Sequence, residues 1–532
     1  MSQMAGDEYK LINERVGLIG AIALLVGTAM GMSIFIVPTQ MAAQAGPSII
    51  LAILVSVIPM IFGVLLLLQL GGAIPVAGGI YVYASRLIGP FWGLIGVALP
   101  SFAVCAYLIF AAYGFAGYLT GTFFDPGVLS WLFTSLGAGS DGAAVFSRIV
   151  VHTLIVWALL GTFLVINYVG IQIVVRVQIA LVCLLIAGLL TFIVGGLFAF
   201  EPSNLTPMFP DGDGEPFEEN YTPFLLAVIL LFIPFQGFTM IIEIGEELEN
   251  PIKNIPRVLA LGMALVTVIA TALVIVLVAA VPWQDTVDPE TGEAVDAGLI
   301  ADSVGGSFLP DGAIIVISIA ALIAAATTVN TLLTSYSRTI MRAARDEVIP
   351  PHFATLHDEH DTPYMAILAL TVPTLVITPF VIGLDNLGRL DDAGVLTAGS
   401  VLAPVAETEM LDWLVVLIVT GIFFTFIMGA IALWRLPTVF PQRYEFSFYK
   451  LPLPVLRVVA IGNAITCVAF TLLVATTAPS ALLVVLSWIV LSAVIHQWRI
   501  RRYAEDGVDL EAQMALLHKH ERLDSGDDNG ND

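Results

Sequence analysis

The sequence predicts an all-α integral membrane protein: twelve spans, ten of them folded as two five-helix repeats of opposite orientation, followed by two further helices. Three observations predict it. Apolar runs long enough to cross a hydrocarbon core of about 30 Å recur along nearly the whole chain. Almost every basic residue falls on one side of those runs, and two of the runs, the first and the sixth, are interrupted at mid-depth by glycine or proline.

Composition sets the class. Over 532 residues the chain is 58% hydrophobic and only 12% charged, with a mean hydropathy of +0.95, which an ordinary soluble domain does not reach. The three cysteines, Cys105, Cys183 and Cys467, all lie inside apolar runs, so neither a disulfide framework nor a metal framework is implied. The net charge of −23 is concentrated in the loops 200–222 and 281–312, which carry acidic residues and no Lys or Arg, and in the tail. An acid excess of this kind resembles proteins of salt-loving microbes; an ordinary acidic surface is the plainer reading. No nucleic-acid partner is expected.

The chain begins with a polar segment, 1–16, too mixed for a cleaved signal and expected to be cytoplasmic. The first repeat occupies 17–200. Its spans are 17–45, 49–70, 91–120, 148–168 and 173–198, and the glycine pair Gly78-Gly79 lets the chain turn between the second and third. The second repeat occupies 222–435. Its spans are the sixth, beginning at Thr222, then 258–281, 312–342, 364–383 and 411–434. The eighth carries Thr327, Thr328, Asn330, Thr331, Thr334 and Ser335, too polar for lipid contact, and is therefore expected at the centre. The link 384–410 is long enough to hold a short helix. Two further spans, 453–475 and 480–498, complete a 453–498 unit, and 499–532 is an acidic cytoplasmic tail with a short helix expected at 510–523.

Orientation follows from the basic residues. Of the 20 Lys and Arg, all but Arg148 and Arg389 fall on one face of a twelve-span arrangement, which places both termini in the cytoplasm of a cell with the protein in its cytoplasmic membrane.

The two interruptions carry the functional reading. The first span contains Gly27-Thr28-Ala29-Met30-Gly31-Met32-Ser33, and the sixth contains Ile233-Pro234-Phe235-Gln236-Gly237-Phe238. A single Pro-kinked helix is as good a reading of the sixth span taken alone. Two breaks five crossings apart instead follow the inverted-repeat plan of secondary transporters, whose solutes bind at half-helix ends near the bilayer midplane. Free N–H groups near Gly31 suit a carboxylate, and carbonyls near Phe235 suit an ammonium. A zwitterion is the expected solute.

These residues resemble the amino acid-polyamine-organocation (APC) permeases. The first-span run with Ile34, Phe35 and Pro38 is similar to the family's first break. Pro75 with Ala77-Gly78-Gly79, Tyr81 and Tyr83 is similar to its motif after the second span. The most specific match is Phe235-Gln236-Gly237-Phe238 followed by Glu246-Glu247, Asn250-Pro251 and Ile255-Pro256-Arg257, and Arg338 with Ala344-Arg345-Asp346, Pro350 and Thr362-Pro363 matches the end of the eighth span.

The resemblance implies a LeuT-like fold and alternating-access transport of an amino acid. It assigns substrate binding to Thr28, Ala29, Met30, Gly31, Met32 and Ser33 on one side and to Ile233, Pro234, Phe235, Gly237 and Thr239 on the other. Met32 stands where a small residue is usual, and Thr239 where an acidic residue often follows, which points to a neutral or apolar amino acid. No lysine lies in the fifth span, where Leu185 takes the place of a proton-relaying amine. Sodium is then the expected coupled ion, held by Thr327 and Thr328; the same hydroxyls bonding only their own helix is an equal reading. Glu243 is a candidate for gating or protonation, or a side chain reaching cytoplasmic water. Phe235 is a candidate lid, and Tyr107 and Tyr113 are candidate donors.

Other readings stay in view: proton-coupled or exchange transport of another amino acid, a polyamine or a cation, and, more remotely, a channel or sensor on the same fold. The sequence contains no nucleophile elbow, HExxH or phosphate loop, so no enzyme is expected, and no cofactor beyond sodium. A GxGxxG match at 137–142 has no strand before it and carries no dinucleotide reading.

Overall fold

A computed structural model describes residues 16–209, 221–283, 308–395 and 410–505. The N-terminal segment, most of both acidic loops and the helix expected at 510–523 lie outside the described residues. Everything described is helix and connection, apart from one isolated bridge between Val16 and Leu248.

The first span is divided into α1 (Leu18–Ala29) and α2 (Ser33–Ala45). A 3₁₀ turn, Gly46–Ser48, leads into α3 (Ile49–Ala73), then α4 (Gly79–Leu87), α5 (Pro90–Phe123), α6 (Ser130–Ser135), α7 (Ser140–Val169) and α8 (Ile171–Phe198). The second half begins with α9 (Thr222–Leu230), a 3₁₀ stretch (Ile233–Thr239), α10 (Met240–Glu243) and a 3₁₀ turn (Gly245–Glu247). It continues through α11 (Pro251–Ala280), α12 (Asp311–Arg345), α13 (Tyr364–Asp385), α14 (Leu387–Asp392), α15 (Met410–Val439), α16 (Pro441–Phe446), α17 (Leu453–Thr477) and α18 (Pro479–Glu505). The short helix expected in 384–410 is α14.

Among the described residues, 11 helical stretches are long and apolar enough to cross a membrane, against twelve spans expected. The difference lies at the start. Residues Leu18–Ala73 make up a single apolar stretch of 56 residues, which at 1.5 Å per residue is about 84 Å, more than two hydrocarbon thicknesses. The chain turns within it at Gly46, whose φ of 54° a residue with a Cβ rarely adopts. Two crossings are thus contained in one stretch.

Centrality follows polarity. α12 packs against both α5 and α8, and α1 packs against α8, α11, α12 and the 3₁₀ stretch of the sixth span. All six polar residues singled out on α12 are buried. Two of them join a chain of side-chain bonds: Thr334 donates to Asn167 Oδ1 at 2.6 Å, Asn167 donates to Asn330 at 3.2 Å, and Asn330 donates to Gln178 at 2.9 Å. Such a network ties α7, α8 and α12 together without leaving polar atoms to lipid. Lipid meets instead the exposed apolar sides of α8, α13, α17 and α18, for example Leu184, Phe380, Val458 and Val490.

Candidate functional site

The α1–α2 interruption is a true gap in the ladder. The Met30 amide still reaches Val26 O at 2.8 Å, but the Gly31 amide turns to Thr28 O at 3.3 Å, and bonding resumes with Ile34 to Gly31 O and Phe35 to Met32 O. Within the described residues the amides of Met32 and Ser33 make no backbone hydrogen bond. The Ser33 hydroxyl is buried beside the Tyr107 hydroxyl and makes no well-formed hydrogen bond. Unmade bonds at buried positions each cost about 1–3 kcal/mol, so they persist where something else uses them.

The sixth span behaves differently. Carbonyls freed just before Gly237 were the expectation, yet residues Ile233–Thr239 wind on as a 3₁₀ helix. Pro234 lacks the amide that Leu230 O would accept in an α-helix, and the Phe235 amide goes to Phe232 O at 3.0 Å instead of Leu231 O. The carbonyls released from α-helical pairing are therefore those of Leu230 and Leu231, a turn earlier than the sequence suggested. Val228 O, at the end of α9, is taken by the Ser56 hydroxyl of α3 at 2.6 Å.

The structure brings the two interruptions into direct contact. A Cβ on Gly237 would meet the backbone of α1, at Leu25 O and at Ala29 N (2.5 Å), so only glycine lets them touch. On another side of the gap stands α12: a Cβ on Gly31 would land on Thr328 Oγ1 and lie 3.0 Å from Thr28 O. Thr28, Ala29, Met30, Gly31, Met32 and Ser33, together with Ile233, Pro234, Phe235, Gly237 and Thr239, are all buried. Thr239 donates to Gln236 O at 3.2 Å.

Met32, the bulky residue where a small one was expected, is accommodated by α5. A Cβ on Gly114 would lie 2.8 Å from Met32 Cγ and 2.9 Å from its terminal methyl. The volume added at 32 is thus removed at 114. Tyr107 of α5 donates to Thr28 O at 3.4 Å, at the edge of the gap. Tyr113 does not reach it, because its hydroxyl is committed to Asp385 Oδ2 at 2.5 Å.

Thr327 and Thr328 flank the same gap. Thr327 Oγ1 lies 2.8 Å from both Gly27 O and Ala324 O, and Thr328 donates to Ala324 O at 3.0 Å. Each hydroxyl has one hydrogen, so each oxygen keeps acceptor capacity beside α1. A hard cation there would draw on Thr327, Thr328 and Gly27 O.

Sequence reasoning missed Gln236. It is 1% exposed, and both ends of its amide lack a partner. An amide inside an apolar span was the available signal. Glu243 is not where cytoplasmic water would reach it: it is 3% exposed, and Thr339 of α12 donates to its carboxylate.

One end of the bundle is closed around this site. Val16 N donates to Glu247 O at 2.7 Å and Glu249 N to Val16 O at 3.0 Å. Arg338 pairs with Glu247 at 3.2 Å, Arg342 with Glu246 at 3.3 Å, and Arg86 with Asp346 at 2.6 Å. Tyr81 donates to Asp346 at 2.6 Å; burial, and then the Asp346 charge, hold its hydroxyl well above the ordinary phenol range. A separate groove of about 570 Å³, lined by residues such as Val16, Ile19, Val175 and Arg176, opens beside the start of α1 and does not reach the breaks.

Two interrupted spans in contact at the centre of a membrane helix bundle, one of them with unbonded buried amides, mark the class as a membrane transporter. The chain belongs to the amino acid permease family of the APC superfamily, whose model matches residues 16–495. That family has the LeuT-like inverted-repeat fold. Similar proteins include the branched-chain amino acid permease BcaP of Bacillus subtilis, 24% identical over 73% of this chain and 79% of that one. BcaP of Lactococcus lactis is 27% identical over 74% and 81%. The methylthioribose transporter of Bacillus subtilis is 26% identical over 71% and 77%.

Proposed function

We propose that this permease moves a neutral, apolar amino acid across the cytoplasmic membrane by alternating access, with both termini in the cytoplasm. The observation that carries it is the pair of buried, unbonded amides at Met32 and Ser33, set against the break of the sixth span. A substrate carboxylate satisfies those amides at the start of α2, and its ammonium faces the carbonyl end that Pro234 opens at Leu230 and Leu231. Phe235 closes over the bound solute. An apolar side chain agrees with Thr239 in place of an acid and with the branched-chain permeases among the relatives; the methylthioribose transporter among them is why the panel below extends to other small solutes.

Sodium is a coupled ion in this reading, drawn to the oxygens of Thr327, Thr328 and Gly27 where α12 meets α1. The test is uptake into proteoliposomes of a panel of amino acids and other small solutes, with sodium and proton gradients imposed separately. Saturable, stereoselective uptake of apolar amino acids is expected, and single-channel currents would refute the carrier. Equal uptake with and without a sodium gradient, together with an unaffected Thr328→Val variant, removes sodium. A Phe235→Ala variant with unchanged affinity and turnover removes the lid.

A further inference from the structure

We propose that Glu243 is a proton-binding site: it holds a proton while this end of the bundle is closed and releases it to the cytoplasm when the end opens. The inference rests on the permease reading and is independent of the sodium site.

Three elements meet at this carboxyl. It sits on α10, accepts from Thr339 of α12, and lies against the start of α4, where a Cβ on Gly79 would fall on the carboxylate itself. Gly79 has φ 44° and Gly78 has φ 106°, and the Gly78 amide donates to Glu243 O at 3.4 Å. The glycine pair thus both turns the chain and makes room for the acid.

Its neighbours are accounted for by element. From α4 comes Tyr83, whose buried hydroxyl makes no hydrogen bond, and from α12 come Tyr336 and Thr339. α1 carries no titratable residue, nor does the 3₁₀ stretch before α10. Lys253 and Arg257 of α11 are exposed. The arginines of α12 are directed elsewhere: Arg338 to Glu247, Arg342 to Glu246 and Asp346, Arg345 to Glu246. Glu246, Glu247 and Asp346 each face an arginine; among the described residues Glu243 faces none.

A buried carboxylate without a cation is costly, and in practice such a group takes up a proton instead. Two features work the other way. The Thr339 hydroxyl and the amide end of α4 both favour the anion. A carboxyl held between these influences changes state when its surroundings change. Opening this end separates Val16 from Leu248 and admits water to the α4–α10–α12 junction, which stabilises the ionised form. Proton release is thereby tied to the opening step. The carboxyl O–H bond breaks, the electron pair stays on the carboxylate, and water carries the proton away.

The test uses the full-length protein in proteoliposomes, a radiolabelled mixture of L-amino acids, and two assays: exchange at equal pH, and accumulation driven by an inward proton gradient. With one proton per solute, one pH unit supports accumulation of up to about tenfold. The expected result is that wild type accumulates, Glu243→Gln exchanges at near wild-type rate but does not accumulate, and Glu243→Asp accumulates. The proposal is overturned if E243Q accumulates as wild type does, if wild type exchanges but ignores the proton gradient, or if E243Q and E243D both lose exchange, which marks a packing role. A wild type that exchanges no amino acid removes the permease reading and this inference with it.

Discussion

The two interruptions occupy matching positions in the two repeats, yet they are built differently. In the first span the ladder stops: α1 ends at Ala29, α2 starts at Ser33, and two amides are left unbonded. In the sixth span the ladder tightens into 3₁₀ winding, so most of the backbone stays paired and what remains is a proline-made carbonyl end and the amide of Gln236. The difference teaches that the repeats do not contribute equally. The first supplies bare donors, and the second supplies a close-packed wall that glycine allows to touch them.

The sharpest way to break that comparison is Gly237→Ala. The added methyl meets Leu25 O and Ala29 N, which are backbone atoms and cannot rotate away. Overpacking of about 1–3 kcal/mol or more is expected, and uptake should fall by about a hundredfold or be lost. Normal uptake and an unchanged melting temperature would show that the breaks do not touch.

Next in size is Gly31→Ala, whose methyl meets a side-chain oxygen of Thr328 as well as the backbone at Thr28 O. Uptake is expected to drop about tenfold, with partial recovery in the Gly31→Ala/Thr328→Ala double variant. Absence of any recovery assigns the loss to Thr28 O alone.

A smaller effect separates the two breaks as binding elements. Ser33→Ala and Gln236→Leu each remove a buried polar group that makes no well-formed hydrogen bond. Each is expected to raise KM for uptake by about three- to tenfold while leaving the melting temperature the same or higher, because no well-formed protein bond is lost. A fall in melting temperature without a change in KM points to a packing role.

The smallest expected effect concerns size. Met32→Ala should shift preference toward larger side chains, and Gly114→Ala should push the flexible end of Met32 and shift it toward smaller ones, each by about tenfold or less. Shifts in the same direction would show that position 114 does not set the volume at 32.

Much of this architecture was legible in the sequence because lipid imposes a plain rule, that every crossing must be long, apolar and helical. The helices overrun the expected spans at their ends, as α7 does by beginning at Ser140 rather than near Arg148, since a charged residue ends a hydrophobic run without ending a helix. The first break was legible in its two glycines. The winding of the sixth was not, because Pro234 announces a lost amide but not which carbonyl the next amide will choose. Gln236 was passed over for the apolar company it keeps. Glu243 looked close enough to the helix end to reach water, and only the folding of α4 against it shows otherwise. The Met32–Gly114 exchange of volume joins residues 82 positions apart and leaves no local trace.

The bridge between Val16 and Leu248 is made entirely of main-chain atoms. Its strength is therefore indifferent to which side chains stand at those positions. A latch of this kind escapes ordinary mutational scanning and yields only to proline, which deletes the donor, at Val16 or at Glu249. The molecule thus keeps one fastening that sequence drift can rarely loosen, beside a set of ion pairs that single substitutions can retune.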